Sequence, residues 1–321
     1  MPLSRTALAF VAFALVSLLP AAACAQEAAK PSATGDPGQR RADSIVVRDE
    51  PALQPAAGGA SAEMPAHGVA ECLPSGELRP VVSDTLALAL GETTVYAGVH
   101  VAPAPEGCAA LHALVVHDDE DTAVGAGLDV LRLRGGRLVE LLHDGSRNVT
   151  FSAGGRRFVA DPNRIFTDAG RRATLRALSA DRPEARRALE RFADALLAVY
   201  APEGAPEPIV ALHNNTDGRY SALSYRPGQP YAADADALHL APGADEDDFF
   251  FVTTRALFDA LAAGGFNVVL QNNDAVTDDG SLSVWAAQAG VPYVNVEAEH
   301  GHRAEQVRMV LHLLAVLDGQ P

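Results

Sequence analysis

Lysine is all but missing from this sequence: Lys30 is the only one, so nearly all positive charge sits on arginine. Positive charge is scarce overall, with 25 Lys and Arg against 41 Asp and Glu and a formal net charge of −16 at pH 7. Such a chain repels phosphate backbones and anionic headgroups, which excludes nucleic acid and membrane surfaces as partners reached through a basic patch. Long apolar runs are scarce too. The stretch Ala7–Leu19 is too short for a comfortable membrane span. Cysteine is limited to Cys24, Cys72 and Cys108. What the sequence has in quantity is hydrophobic residues, 48% of its 321 positions, enough to bury a substantial core.

Residues 1–23 carry Arg5, then the short apolar run, then Pro20-Ala21-Ala22-Ala23-Cys24-Ala25. Small residues at cleavage-site spacing predict an export signal and an exported protein, periplasmic or secreted. Cleavage after Ala23 would expose Cys24 for a lipid anchor, although Ala21 stands where such signals usually carry leucine. Cleavage after Ala25 would leave a soluble protein. In an oxidising compartment the remaining pair, Cys72 and Cys108, is expected to form a disulfide. Residues 24–68 are Ala, Pro, Gly, Glu and Ser with few aliphatics and read as a linker. Residues 69–321 read as one α/β domain.

Within that domain, apolar runs of strand length alternate with amphipathic stretches of helix length. Strands are predicted at Leu111–Val116, Leu138–Leu142, Ile209–Leu212, Phe249–Val252, Asn267–Leu270 and Tyr293–Val296. A hairpin is predicted over Asn148–Val159, turning at Gly154-Gly155. Helices are expected over Thr122–Arg134 with Val124, Leu128 and Leu131 inward, then Pro183–Tyr200, Thr254–Ala263, Leu282–Ala289 and Arg303–Leu317. This alternation predicts a mostly parallel or mixed central sheet flanked by helices, with ligands at the carboxyl ends of its strands.

Three of those strand ends carry acidic or metal-binding side chains: His117-Asp118-Asp119-Glu120, His213, and Glu297. A catalytic zinc takes three protein ligands and keeps a fourth position open, so His117, Glu120 and His213 make a candidate ligand set. Glu297 is the candidate general base. Glu299, two residues on, would face the same side and competes for that role. Taken alone, His-x-x-Glu is weak, because acids also favour the first turn of a helix.

Four motifs together are more specific. His117-Asp118-Asp119-Glu120 resembles the His-Gly-x-Glu zinc motif of the aspartoacylase and succinylglutamate desuccinylase family, a branch of the zinc carboxypeptidase clan. Asp161-Pro162-Asn163-Arg164-Ile165-Phe166 is similar to that family's Asp-Leu-Asn-Arg-x-Phe. Leu212-His213-Asn214-Asn215-Thr216 is similar to its Leu-His-Asn-Thr-Thr, and Val296-Glu297-Ala298-Glu299-His300-Gly301 to the segment holding its catalytic glutamate. The resemblance implies a zinc carboxypeptidase-like fold, a Zn2+ cofactor on His117, Glu120 and His213, Glu297 as general base and acid, and Asn163 with Arg164 as a clamp on a substrate carboxylate. A guanidinium fork suits a carboxylate independently of any family. Arg147 and Asn148 are candidates for a second clamp or for stabilising an oxyanion, set against a plain hairpin start.

The sequence also departs from the pattern. Asp118 replaces the motif glycine and Pro162 the leucine, and the β domain that covers the aspartoacylase active site has no counterpart in the short segment after Glu297. Tyr220, Tyr225 and Arg226 are the loop residues available around a substrate. His300 and His302 read as a polar turn, Asp278–Ser283 as a helix entrance, and His112 as core or as support behind the ligands. Asp245–Asp248 reads as a solvated acidic turn, since a calcium loop would need alternating ligands and a glycine. The expectation is an exported zinc hydrolase that cleaves an amide in a small peptide or N-acyl amino acid with a free carboxylate. A cell-wall amidase of related fold and a non-catalytic peptide- or carboxylate-binding protein are the alternatives.

Overall fold

The computed structural model describes residues 78–319 apart from 203 and 205–207. The predicted export signal, the linker, Cys24 and Cys72 lie outside the described residues.

Among the described residues, nine strands make one mixed sheet. In chain order its members are β1 (Val82–Leu90), β2 (Thr93–Ala102), β3 (Leu111–Val115), β4 (Gly136–Leu142), β7 (Ile209–Asn215), β8 (Ala235–His239), β9 (Phe249–Val252), β10 (Asn267–Gln271) and β11 (Tyr293–Glu299). A separate hairpin joins β5 (Val149–Ala153) to β6 (Arg156–Ala160). The spatial order in the sheet is β1-β2-β4-β3-β7-β11-β9-β10-β8. The central run β4-β3-β7-β11 is parallel, while β2 against β4 and β11 against β9 are antiparallel. Parallel strands need crossovers, and helices supply them: α1 (Asp121–Arg134) between β3 and β4, α2 (Asp168–Leu178) and α3 (Pro183–Tyr200) on the way to β7, and α4 (Arg255–Ala263) between β9 and β10; α5 (Leu282–Ala289) leads into β11, and α6 (Arg303–Leu317) follows it. Among the described residues, no helix is long and apolar enough to cross a membrane.

Each face of the sheet has its own core. Along β7, Ile209 and Ala211 join the cluster that contains Leu189, Phe192 and Leu196 of α3. Val210 and Leu212 join the opposite cluster, with Val130 and Leu131 of α1 and Val310 and Leu313 of α6. This two-residue alternation decides where the chemistry goes, because His213 follows the odd positions onto the α3 side. Glu297 is the register partner of His213 across the parallel pair and shares that side.

Several helices and strands predicted from the sequence match these bounds, and the differences have physical reasons. The inward face of α1 is Ala123, Ala126, Gly127, Val130 and Leu131, whereas Val124 and Leu128 are only partly buried. The helix sits close to the sheet, and a Cβ on Gly127 would lie 2.9 Å from the Leu138 side chain. Small residues therefore face inward. β1, β2, α2 and β8 have no sequence prediction. β1 and β8 are edge strands and α2 is rich in arginine, so their apolar periodicity is diluted by solvent-facing positions. His112 is exposed, not core, and its strand is fixed through the backbone: Tyr200 Oη donates to His112 O at 3.0 Å.

Candidate metal centre

β3 ends at Val115, and the chain turns through Val116 and His117 before α1 begins at Asp121. The backbone N–H of Glu120 donates to His117 O at 3.3 Å, a tight turn that aims both side chains the same way. Across the sheet, β7 delivers His213. His117 Nδ1 lies 2.8 Å from Glu120 Oε1, and His213 Nδ1 lies 2.9 Å from Glu120 Oε2. The two imidazole centroids are 5.1 Å apart. One ligand atom from each of the three residues falls within 4.8 Å of the others, and all three residues are buried.

The neighbours hold this arrangement. His117 Nε2 meets Asp161 Oδ1 at 2.9 Å, which directs the other ring nitrogen towards Glu120. Asn214 Oδ1 accepts the Ala123 N–H at 2.8 Å, satisfying a donor in the first turn of α1 and tying β7 to the helix that follows Glu120. Gln306 of α6, fully buried, donates from Nε2 to His213 O at 2.9 Å and to Val296 O at 3.0 Å, bridging β7 and β11 at the site. Asp118, where the motif has glycine, accepts from the His143 and Gly145 N–H groups at 2.6 and 2.7 Å and fixes the loop that leads to Arg147.

Charge is concentrated here. Burial alone would lower the His117 imidazole, but Glu120 and Asp161 outweigh it and carry it up to about 9. Burial favours the neutral forms of Glu120 and Asp161, yet the facing imidazoles and arginines hold both carboxyls well below their ordinary range. Glu297 goes the other way. Burial raises it, and although Oε1 accepts from Asn295 Nδ2 at 3.1 Å, its buried Oε2 has no hydrogen-bond partner among the described residues.

The remaining predicted residues fall around this group. Arg147 Nη1 is 3.3 Å from Glu120 Oε1 and Nη2 is 3.7 Å from Asp161 Oδ2. Asn163 Nδ2 is 3.4 Å from His213 Nε2, and Asn163 Oδ1 accepts the Leu282 N–H at 3.2 Å. Arg164 donates from Nη1 to Asn163 O at 2.9 Å and places Nε 3.4 Å from Asp279 Oδ2. That contact requires the 278–281 loop to come close, and glycine permits it: a Cβ on Gly280 would sit 2.4 Å from the Gly170 Cα. Asn148 stands immediately before β5 and, among the described residues, makes none of these hydrogen bonds. Glu299 is only partly buried and pairs with His302 at 3.4 Å. Tyr220 and Tyr225 hydrogen-bond to each other against Phe249, while Arg226 is exposed.

Asp161, Gln306 and the anchoring role of Asp118 were not singled out from sequence. Asp161 had a signal, since it opens the Asp-x-Asn-Arg motif two residues before Asn163. Gln306 had none, being one polar residue in a helix. The acidic turn also differs from expectation, because Asp247 and Asp248 are buried, at 2% and 7% exposure, instead of solvated.

Two Nδ1 atoms and one carboxylate converging at a strand end fit a divalent cation of the zinc type, which favours nitrogen with carboxylate and holds three protein ligands in catalytic sites. The unpaired oxygen of Glu297 fits a polar guest beside it. No family model matches the chain, and no curated protein matches it. Among solved structures the chain is similar to murein-tripeptide amidase from Escherichia coli O157, at 17% identity over 76% of this chain and 93% of that one, with a TM-score of 0.36. It is similar to an aspartoacylase family protein from Mesorhizobium loti, at 17% identity over 74% and 68%, TM-score 0.38. It is also similar to a metallo-carboxypeptidase from Burkholderia cenocepacia, at 12% identity over 74% and 65%, TM-score 0.35.

Proposed function

We propose that the chain is a zinc-dependent hydrolase that cleaves an amide bond in a small substrate bearing a free carboxylate, a peptide trimmed at its carboxyl end first and an N-acyl amino acid second. The observation that carries this reading is the meeting of His117 Nδ1, His213 Nδ1 and the Glu120 carboxylate beside a buried, half-unpaired Glu297. His117, Glu120 and His213 would hold the ion. A bound zinc would supply Lewis acidity, polarising a carbonyl and making water a better nucleophile at neutral pH.

The protein's own residues have separable tasks. Glu297 Oε2 is free to accept a proton from the attacking water and return it to the leaving amine nitrogen, which is general base and then general acid work by one group. Arg147, already against Glu120 and Asp161, brings positive charge to the side where the carbonyl oxygen becomes negative. Arg164 would exchange its 3.4 Å contact with Asp279 for the substrate carboxylate, with Asn163 beside it. With an ion on Nδ1, Asp161 would keep the remaining ring proton of His117 on Nε2. The proposal extends to export, on the leader-like residues 1–23, and to a Cys72–Cys108 disulfide.

The test is metal analysis of the purified chain, followed by mass-spectrometric assay of zinc-loaded protein against carboxyl-terminal peptides and N-acyl amino acids. Stoichiometric zinc, hydrolysis, and a loss of roughly 10²–10⁴-fold in kcat in Glu297→Gln with zinc retained are expected. Bound zinc without hydrolysis across the panel would point to a binding protein instead.

A further inference from the structure

One step along the same strands from the histidine and the glutamate, the donor chemistry changes. β7 and β11 stay in register to their ends, with Asn215 opposite Glu299. Residues two apart on a strand share a face, so Asn215 and Glu299 lie on the side that carries His213 and Glu297. The loop after β7 and the turn before β9 bring Asp217 and Asp247 to the same place. Carboxylate oxygens of Asp217, Asp247 and Glu299 fall within 4.8 Å of one another.

Crowded acids alone would mean little, but two buried oxygens here lack partners among the described residues. Asp247, 2% exposed, accepts the Gly218 N–H on Oδ2 at 3.0 Å, while its buried Oδ1 accepts nothing. Asn215, 4% exposed, donates from Nδ2 to Asp247 O at 2.6 Å, and its buried Oδ1 also accepts nothing. The Asn215 amide cannot be turned round to remove the problem, because a backbone carbonyl only accepts and so requires the nitrogen on its side. Unsatisfied buried acceptors are rare, so two on touching residues, one of them within a group of three carboxylates, call for a positive guest. The backbone around them is already tied: His300 N–H donates to Asn215 O at 3.0 Å and Glu299 N–H to Asp248 Oδ1 at 2.9 Å.

We propose that Asp217, Asp247 and Glu299, with Asn215 Oδ1, form a calcium site distinct from the His117–Glu120–His213 centre. The donors are all oxygen, which selects a hard cation over zinc. They come from the end of β7, its loop, the turn before β9 and the end of β11, an irregular set that suits the variable coordination of calcium better than the strict octahedron of magnesium. The ion would pin the loop that runs from Asp217 into Tyr220 and Tyr225 against the sheet beside Glu297. Binding thereby stiffens one wall of the neighbouring site without touching substrate.

The experiment uses the full chain saturated with zinc, titrated with CaCl2 and, separately, with MgCl2, followed by calorimetry and thermal unfolding. One calcium per chain with Kd on the order of 10⁻⁴–10⁻³ M is expected, with a midpoint rise of about 3 °C or more at tenfold Kd and a smaller response to magnesium. Asp217→Asn, at an exposed position that does not endanger folding, should weaken calcium about tenfold or more. His213→Ala should keep the calcium response. A thermal midpoint indifferent to calcium, or one that rises equally in Asp217→Asn, overturns the proposal. Stabilisation by 1,5-diaminopentane but not by calcium also overturns it and assigns the cluster to an ammonium group.

Discussion

β7 is two different strands joined at Leu212. Its first half, Ile209–Leu212, is apolar and feeds both cores; its second half, His213–Asn215, is as buried but wholly polar, and every side chain there has a directional partner. β11 changes character at the matching point, with Val296 in the core and Glu297 in the site. The difference teaches how a site can be buried at bearable cost. Burial in the first half is repaid by area alone and tolerates shape changes, while burial in the second half needs a directional partner for each polar side chain, and the one oxygen left without a partner, Asn215 Oδ1, marks a place for a guest.

Two neighbouring substitutions would break this comparison most sharply. His213→Ala should lower zinc affinity by more than about 100-fold, measured by competition with a chelating dye, while the chain still folds. Leu212→Ala should do the reverse, costing about 2–5 kcal/mol in denaturant unfolding but leaving zinc stoichiometry intact. If Leu212→Ala lost zinc as completely as His213→Ala does, the two halves would not be separable. A smaller effect is expected one contact further out: Asp161→Asn keeps the size of the side chain but loses the charge behind the His117 ring, and zinc affinity should fall about 10–100-fold. An unchanged affinity would make Asp161 a loop residue only.

The smallest effect is a pH dependence of the metal-free chain. Its folded His117, raised to about 9, lies above the ordinary histidine value of 6.5. The stabilisation this provides is fully present below about pH 6.5 and is lost as pH rises through about 9. Thermal midpoints in chelator should therefore fall over that interval in the parent chain and fall less in His117→Gln. Equal slopes would show that Glu120 and Asp161 do not hold a proton on that ring.

Sequence made part of this legible. The repeat of strand-length and helix-length patterns is enough for α/β, since each element buries one face with its own period, and the bounds of α3, α5 and α6 can be read from local signals such as Pro183. The grouping of His117 with Glu120 is local as well, a three-residue turn off a strand. The edge strand β1 escaped because most of its positions face solvent, and α2 escaped because its arginines hide a short apolar stripe. The burial of Asp247 and Asp248 escaped for another reason: four acids in succession look solvated, and only a neighbouring strand end and loop enclose two of them.

The sequence by itself determined which donor types exist and how those near in the chain are spaced, because dihedral preferences and side-chain periodicity act over a few residues. Only the tertiary structure decided that His213 joins His117 through Nδ1, that Asp161 stands behind one ring, that Glu297 lies in register with His213 while Glu299 pairs with His302, and that an all-oxygen cluster lies one strand step away. Those facts depend on the register between strands far apart in the chain, and register is set by packing on both faces of the sheet at once.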